Sequence, residues 1–332
     1  MLTRARPNLP AAWQTLRQTL QQTFWRTHRP LTLSALITAA LTLLFIIGVF
    51  ADPRVITGAP AWLKPAKFGV SISLYSLTLV WILGFIQGRR RLVNILGWTV
   101  LVTFGLEWVS IITQIARGTT SHFNIATPLD TALWTLMAVA IAVLWVANFV
   151  IAGLLLFQKF DTPAFAWSLR LGLILAIIGM GLGYLMTSPT AQQMAGWAAG
   201  EPVTIARAHT VGVPDGGPGL PVVGWSTVGG DLRIPHFVGM HALQLIPFVG
   251  WWVSRRKQLS SRQQTALVWT LGGFYLGLTA LFTVQALRAQ SVVRPDALQL
   301  GLLEGLVIST GVAALMILRP RNGDRRSEGL HS

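Results

Sequence analysis

The chain has no cysteine in its 332 residues. That absence excludes disulfides, thiolate zinc sites, iron–sulfur clusters and covalently attached c-type haem, and it leaves imidazole and oxygen as the metal ligands available. Charge is also scarce: only 11% of residues are Asp, Glu, Lys or Arg, and just 11 are acidic. A soluble protein carries roughly 25% charged residues, so a chain this poor in charge, with long runs lacking any, reads as an integral membrane protein. Its partner is the lipid bilayer. A nucleic-acid partner is excluded despite the formal net charge of +15, because the arginines fall in short clusters between apolar runs. That is how membrane orientation is set.

What is present fits a bilayer. Fourteen tryptophans suit the interface between headgroups and hydrocarbon. A spanning helix needs about 20 mostly apolar residues, and eight segments qualify: 31–50, 68–88, 92–116, 129–157, 165–187, 235–254, 265–288 and 296–317. The expected fold is therefore all-α, a polytopic transmembrane helical bundle over 31–318. Residues 1–30 form a basic segment, amphipathic over 9–27 with Leu9, Trp13, Leu16, Leu20 and Phe24 along one side. A basic tail covers 319–332. With both termini cytoplasmic, the inside segments carry 18 Lys and Arg and the outside segments carry 8. The positive-inside rule supports that orientation, and the chain is expected to cross its membrane many times.

Local signals agree. Pro65, Pro128, Pro235 and Pro295 open the four helices that enter from outside, and proline is tolerated in a first helical turn. Thr127–Asp130, "TPLD", reads as a variant capping box. Gly179/Gly183, Gly273/Gly277 and Gly301/Gly305 are GxxxG pairs that let helices approach closely. Between spans five and six lies a long outer segment, 188–234. It mixes glycine and proline with Val222, Val223, Trp225 and Leu232. That mixture predicts an ordered extracytoplasmic lid or a small hairpin turning at Gly229-Gly230, after a short interfacial helix over Ser188–Ala199 capped by Ser188-Pro189.

The polar residues inside the spans carry the functional expectation. Glu107 and Glu304 are the acids deep within spans, where ionisable groups are costly and usually face the bundle interior. At 1.5 Å per residue, Glu107 lies roughly 14 Å, Glu304 roughly 12–14 Å and His241 about 9 Å below the outer helix ends. Thr103, Glu107, Ser110 and Gln114 form one helical stripe, and Lys64, Lys67, Ser71, Tyr75 and Thr78 form another. His241 shares a face with Gln244; Tyr275, Thr279 and Thr283 share one, with Gln285 at the outer mouth. These stripes predict a polar cavity. His236 and His241 differ by about 140° around a helix, so His236 is placed at the mouth and His241 inward.

Three outer segments, "GAPAWLKPAKF", "RGTTSHFNIATPLD" and "HTVGVPDGGPGLPVVGWSTVGGDLRIPHFVGMHALQ", resemble an uncharacterised family of multi-spanning bacterial integral membrane proteins. The resemblance covers roughly residues 40–290. It implies a helical inner-membrane protein and carries no activity, cofactor or catalytic residue.

The residues themselves leave three functions open. The first is an outward-facing metal-binding membrane enzyme or redox protein, with His241, Glu107 and Glu304 as ligands to zinc or non-haem iron. Its lesser variant is a b-type haem with His241 or His236 as one axial ligand and His122 or His209, from the loops, as the second. The second is a proton- or ion-coupled transporter or channel for a small, anionic solute. The third is a non-catalytic sensor or assembly partner. The spacing matches no metal motif, and the Glu-x-x-His pairs of a di-iron bundle are missing.

Overall fold

The computed structural model describes residues 21–319. Most of the amphipathic helix expected over 9–27, the tail beyond Arg319 and His331 lie outside the described residues. Within them, eight helices are long and apolar enough to cross a membrane, and strands are confined to two-residue pieces. The protein is an all-α multi-pass membrane protein.

The spanning helices are α1 (Arg26–Ala51), α2 (Leu63–Leu83), α3 (Arg90–Ala116), α4 (Pro128–Leu156) and α5 (Pro163–Leu182). The short α6 (Ala191–Ala198) follows, then α7 (Arg233–Ser254), α8 (Ser261–Leu287) and α9 (Ala297–Leu318). The short strands are β1 (Val55–Ile56), β2 (Ala59–Pro60), β3 (Thr210–Val211) and β4 (Gly230–Asp231).

Helix ends follow local chemistry. Thr127 Oγ1 accepts the Asp130 N–H at 3.2 Å while its hydroxyl donates to Asp130 Oδ2 at 2.6 Å, so the "TPLD" cap forms. Thr190 with Gln193 and Ser260 with Gln263 close full capping boxes on α6 and α8. The cap of α6 is thus Thr190 rather than the Ser188-Pro189 pair. Helix α2 sits five residues earlier than its apolar run suggests: it takes in Lys64, Pro65 and Lys67 at the start, and Gly84 caps its other end. Near the start of α1, His28 is extended (φ −154°, ψ 89°) ahead of Pro30, and its Nδ1 accepts the Leu31 N–H at 3.1 Å. The imidazole therefore supplies the first-turn acceptor that Ser or Asp usually provides.

The chain divides into two compact units. The first comprises Met1–Ile56, Pro60–Ser121 and Ala132–Gln158, which takes in α1, α2, α3 and most of α4. Here Thr42 of α1 fills the space over Gly69 of α2, and the Trp62 ring lies over Gly48. His28 packs on Gly97 of α3 and meets Trp98 edge-on at 5.9 Å.

The second unit comprises Thr57–Ala59, His122–Thr131 and Lys159–Ser332. Its tightest pair is α5 with α7, where the Gly179 and Gly239 backbones touch and a Cβ on either would overlap the other helix. Small residues permit that approach, and close packing is what joins helices in lipid. Leu171, Leu175, Ala242, Ile246, Val268 and Tyr275 build the core of α5, α7 and α8. Helix α9 packs on α8, where Leu306 covers Gly277, and of its residues only Gln299 is buried.

The outer segment folds onto itself. Gln193 Nε2 donates to the Ile205 and Arg207 carbonyls at 2.8 and 3.2 Å. β3 pairs antiparallel with β4, Thr210 opposite Asp231. Gly230 is thus a strand residue, seated where a side chain would strike the Ala286 carbonyl, and the hairpin turn expected at Gly229-Gly230 is absent. The reversal is spread over 212–229.

Candidate functional site

In the first unit the α3 stripe is sealed: Thr103, Glu107, Ser110 and Gln114 are 4%, 2%, 0% and 0% exposed. Positions i, i+4, i+7 and i+11 lie on one helix face, and this face turns inward because hydrocarbon satisfies no polar group. Thr103 is self-contained, its hydroxyl donating to the Val100 carbonyl at 3.0 Å. Gln114 Oε1 accepts from Arg117 at 2.6 Å at the outer end. Between them, Glu107 Oε1, Trp108 Nε1 and Ser110 Oγ are buried without a hydrogen-bond partner. Lys64 of α2 is the cation within electrostatic reach of Glu107.

Farther along the same unit, the Tyr75 hydroxyl donates to Asn148 Oδ1 at 2.8 Å, and Asn148 Nδ2 donates to the Leu144 carbonyl at 2.8 Å. Asn148 is fully buried and was not among the residues singled out from the sequence. Its one signal is an isolated amide in an otherwise apolar span. Lys67 and Ser71 are half-buried on α2, and Thr78 only bonds the Leu74 carbonyl of its own helix. An apolar groove of about 530 Å³ opens between α3 and α4, lined by Trp98, Val102, Leu136 and Val143, with Thr103 at its edge.

In the second unit the two opening histidines of α7 exchange their expected places. The His236 ring seats against Gly183 of the neighbouring α5–3₁₀ segment, its Nδ1 2.7 Å from the Gly179 carbonyl. His241 folds back on its own helix, Nδ1 2.8 Å from the Phe237 carbonyl and ring stacked on Phe237 at 3.9 Å. A carbonyl only accepts, so in each ring Nδ1 donates and Nε2 is the basic nitrogen of the neutral form. His236 also lies within electrostatic reach of both His209 and His241.

His209 is held by Asp215. Its ring Nδ1 lies 2.7 Å from Asp215 Oδ2, and the carboxylate also accepts the His209 and Thr210 N–H groups and the Thr210 hydroxyl at 2.8–3.1 Å. Burial pushes the Asp215 carboxyl up, yet His209 and Thr210 together outweigh it and hold the group well below the usual carboxylate range. The Phe123 ring lies 4.8 Å from His209, with His122 beside it. Asp231 is a second buried carboxylate, bound by the Ser226 N–H and by Arg233, which also reaches the Gly224 carbonyl. Asp215–Gly219, "DGGPG", is therefore a turn whose aspartate ties residues 209–215 together.

Most of the remaining stripe residues bond nearby carbonyls. Thr279 and Thr283 bond carbonyls one turn back, the Tyr275 hydroxyl donates to the Val238 carbonyl at 2.6 Å, and Gln285 bonds the Ser291 carbonyl. Gln244 is half-buried, its Oε1 without a partner.

The ligand trio read from the sequence is distributed differently. Glu107 belongs to the first unit, while His241 and Glu304 belong to the second. Glu304 is exposed on α9. Among the described residues no three His, Asp or Glu side chains gather as a metal ion requires, so metal binding has no support in the structure. The physical reason is orientation: depth along a helix says nothing about which side of it a residue occupies. No family model, curated protein or solved structure matches the chain.

Proposed function

We propose that the protein is a proton-coupled transporter of a small anionic solute in a bacterial cytoplasmic membrane, with Glu107 as the proton-exchanging group. The observation that carries this reading is the burial of Glu107 in a membrane-spanning helix with Oε1 unpaired beside two further unpaired groups, Trp108 Nε1 and Ser110 Oγ. A carboxyl serving only to join helices would have its oxygens committed to hydrogen bonds. Acids inside membrane spans commonly mark ion pathways and the proton relays of pumps and transporters. Lys64 stands near enough to stabilise the ionised form, and Lys67 and Arg117 add positive charge toward the outer end, which suits an anion.

Among the described residues no ligand set for a metal-dependent enzyme is assembled, which favours the transporter reading. It is tested by reconstituting the purified chain in vesicles with a pH-sensitive dye inside. Small carboxylates and phosphate are added outside, one at a time. At least one anion is expected to acidify the interior, and Glu107→Gln to abolish the response while leaving the protein folded. If none acidifies the lumen beyond empty vesicles, or if Glu107→Gln behaves as wild type, the reading fails.

A further inference from the structure

Helix α9 presents one face to nothing else in its own unit among the described residues. Its buried side faces α8, and the opposite side carries Gly301, Glu304, Gly305, Ile308, Val312 and Leu315, all exposed. These positions recur at steps of three and four, the seam spacing of two parallel helices. No atom lies within 4 Å of a Cβ built on Gly301 or Gly305. Of the three GxxxG pairs, Gly179/Gly183 receives α7 and Gly277 receives Leu306, whereas Gly301/Gly305 receives nothing.

Glu304 is the independent observation. It lies about 10 Å inside the outer end of α9 and is exposed on that same face. Hydrocarbon gives a carboxyl no hydrogen-bond partner, and such a group is not stable facing lipid at that depth. Whatever covers the face must both fit against glycine and offer Glu304 a polar partner.

We propose that this face is the contact between two copies of the chain. A two-fold axis along the membrane normal sets α9 against α9, so that each residue on the seam meets the same patch of its partner. Gly301 and Gly305 let the helices cross closely, and the two Glu304 carboxyls meet at the crossing. With one of them protonated, its hydroxyl donates to the other carboxylate, and each satisfies the other. A second copy supplies the glycine groove and the polar group at the same depth without any further assumption about a partner.

The lack of cysteine makes the test direct. Ile308→Cys and Val312→Cys lie on the seam; Leu302→Cys and Val307→Cys are comparably exposed (51% and 52%) but off it. Each single-cysteine protein, co-expressed in two differently tagged forms, is oxidised in native membranes and run without reductant. About tenfold more mixed-tag dimer is expected at 308 and 312 than at 302 and 307, and Gly305→Ile should remove it by blocking close approach. Glu304→Gln, which keeps the hydrogen bonds, should retain the dimer. Equal cross-linking at all four positions, none at the seam, or capture of a protein of different mass overturns the proposal. The four cysteine variants replace exposed side chains, so the result does not hang on whether Gly305→Ile folds.

Discussion

Removing the Asn148 amide tests whether polar groups in the first unit hold helices together or serve transport. Asn148→Leu keeps nearly the same volume but deprives the Tyr75 hydroxyl of its acceptor at 2.8 Å. The Leu144 carbonyl loses only an extra donor. In a soluble core, an orphaned buried hydroxyl costs about 1–3 kcal/mol. In a bilayer the unfolded reference also finds partners, and inter-helix pairs average about 0.6 kcal/mol with a ceiling near 1.7. The membrane figure governs here, so Asn148→Leu is expected to cost about 1 kcal/mol and Tyr75→Phe about the same. The double variant should cost less than the sum by about 0.6–1.7 kcal/mol, because neither partner is then left unpaired. The assay is reversible unfolding in mixed detergent micelles followed by tryptophan fluorescence. A double variant whose cost equals the sum of the singles refutes the pairing. Loss of anion uptake in Tyr75→Phe with stability intact would place Tyr75 on the transport path instead.

Asp215 should make the segment around residues 205–232 acid-sensitive. A carboxyl whose folded pKa is depressed stabilises fully above its unfolded value, near 3.9, and that stabilisation is lost as pH falls through the folded value, which lies well below the usual range. Asp215→Asn is expected to lower local stability by about 1.5–3 kcal/mol at neutral pH and to flatten the acid limb, read as faster hydrogen exchange over residues 205–232; an unchanged limb would refute the assignment. Gly179→Leu should drive a side chain into the Gly239 backbone and cost about 1–3 kcal/mol or more by overpacking, whereas Gly273→Leu, with nothing within 4 Å, should be tolerated; equal thermal stability of the two would contradict the α5–α7 contact.

How much of this was legible beforehand depends on the kind of signal. The apolar runs gave eight spans, and the described residues hold eight helices long and apolar enough to cross a membrane, with shifted ends. At α2 the apolar count missed the start because Lys64 and Lys67 lie inside the helix. The Glu107 stripe was readable because its four residues repeat on one helix. Asn148, a lone amide on another helix, and His28, an N-terminal imidazole that proves buried under Trp98, gave no periodic pattern. The role of Asp215 was not legible because its partners, His209 and Thr210, lie at the start of a two-residue strand whose pairing the local sequence does not announce.

Composition and periodicity alone determined that this is a chain of membrane-crossing helices, since burial in lipid demands long apolar runs whatever the neighbours are. Only the tertiary structure decided which polar groups meet. Counting residues places Glu304 and His241 only along the length of each helix, whereas rotation about the helix axis is set by packing against other helices. That packing turned Glu107 inward and Glu304 outward.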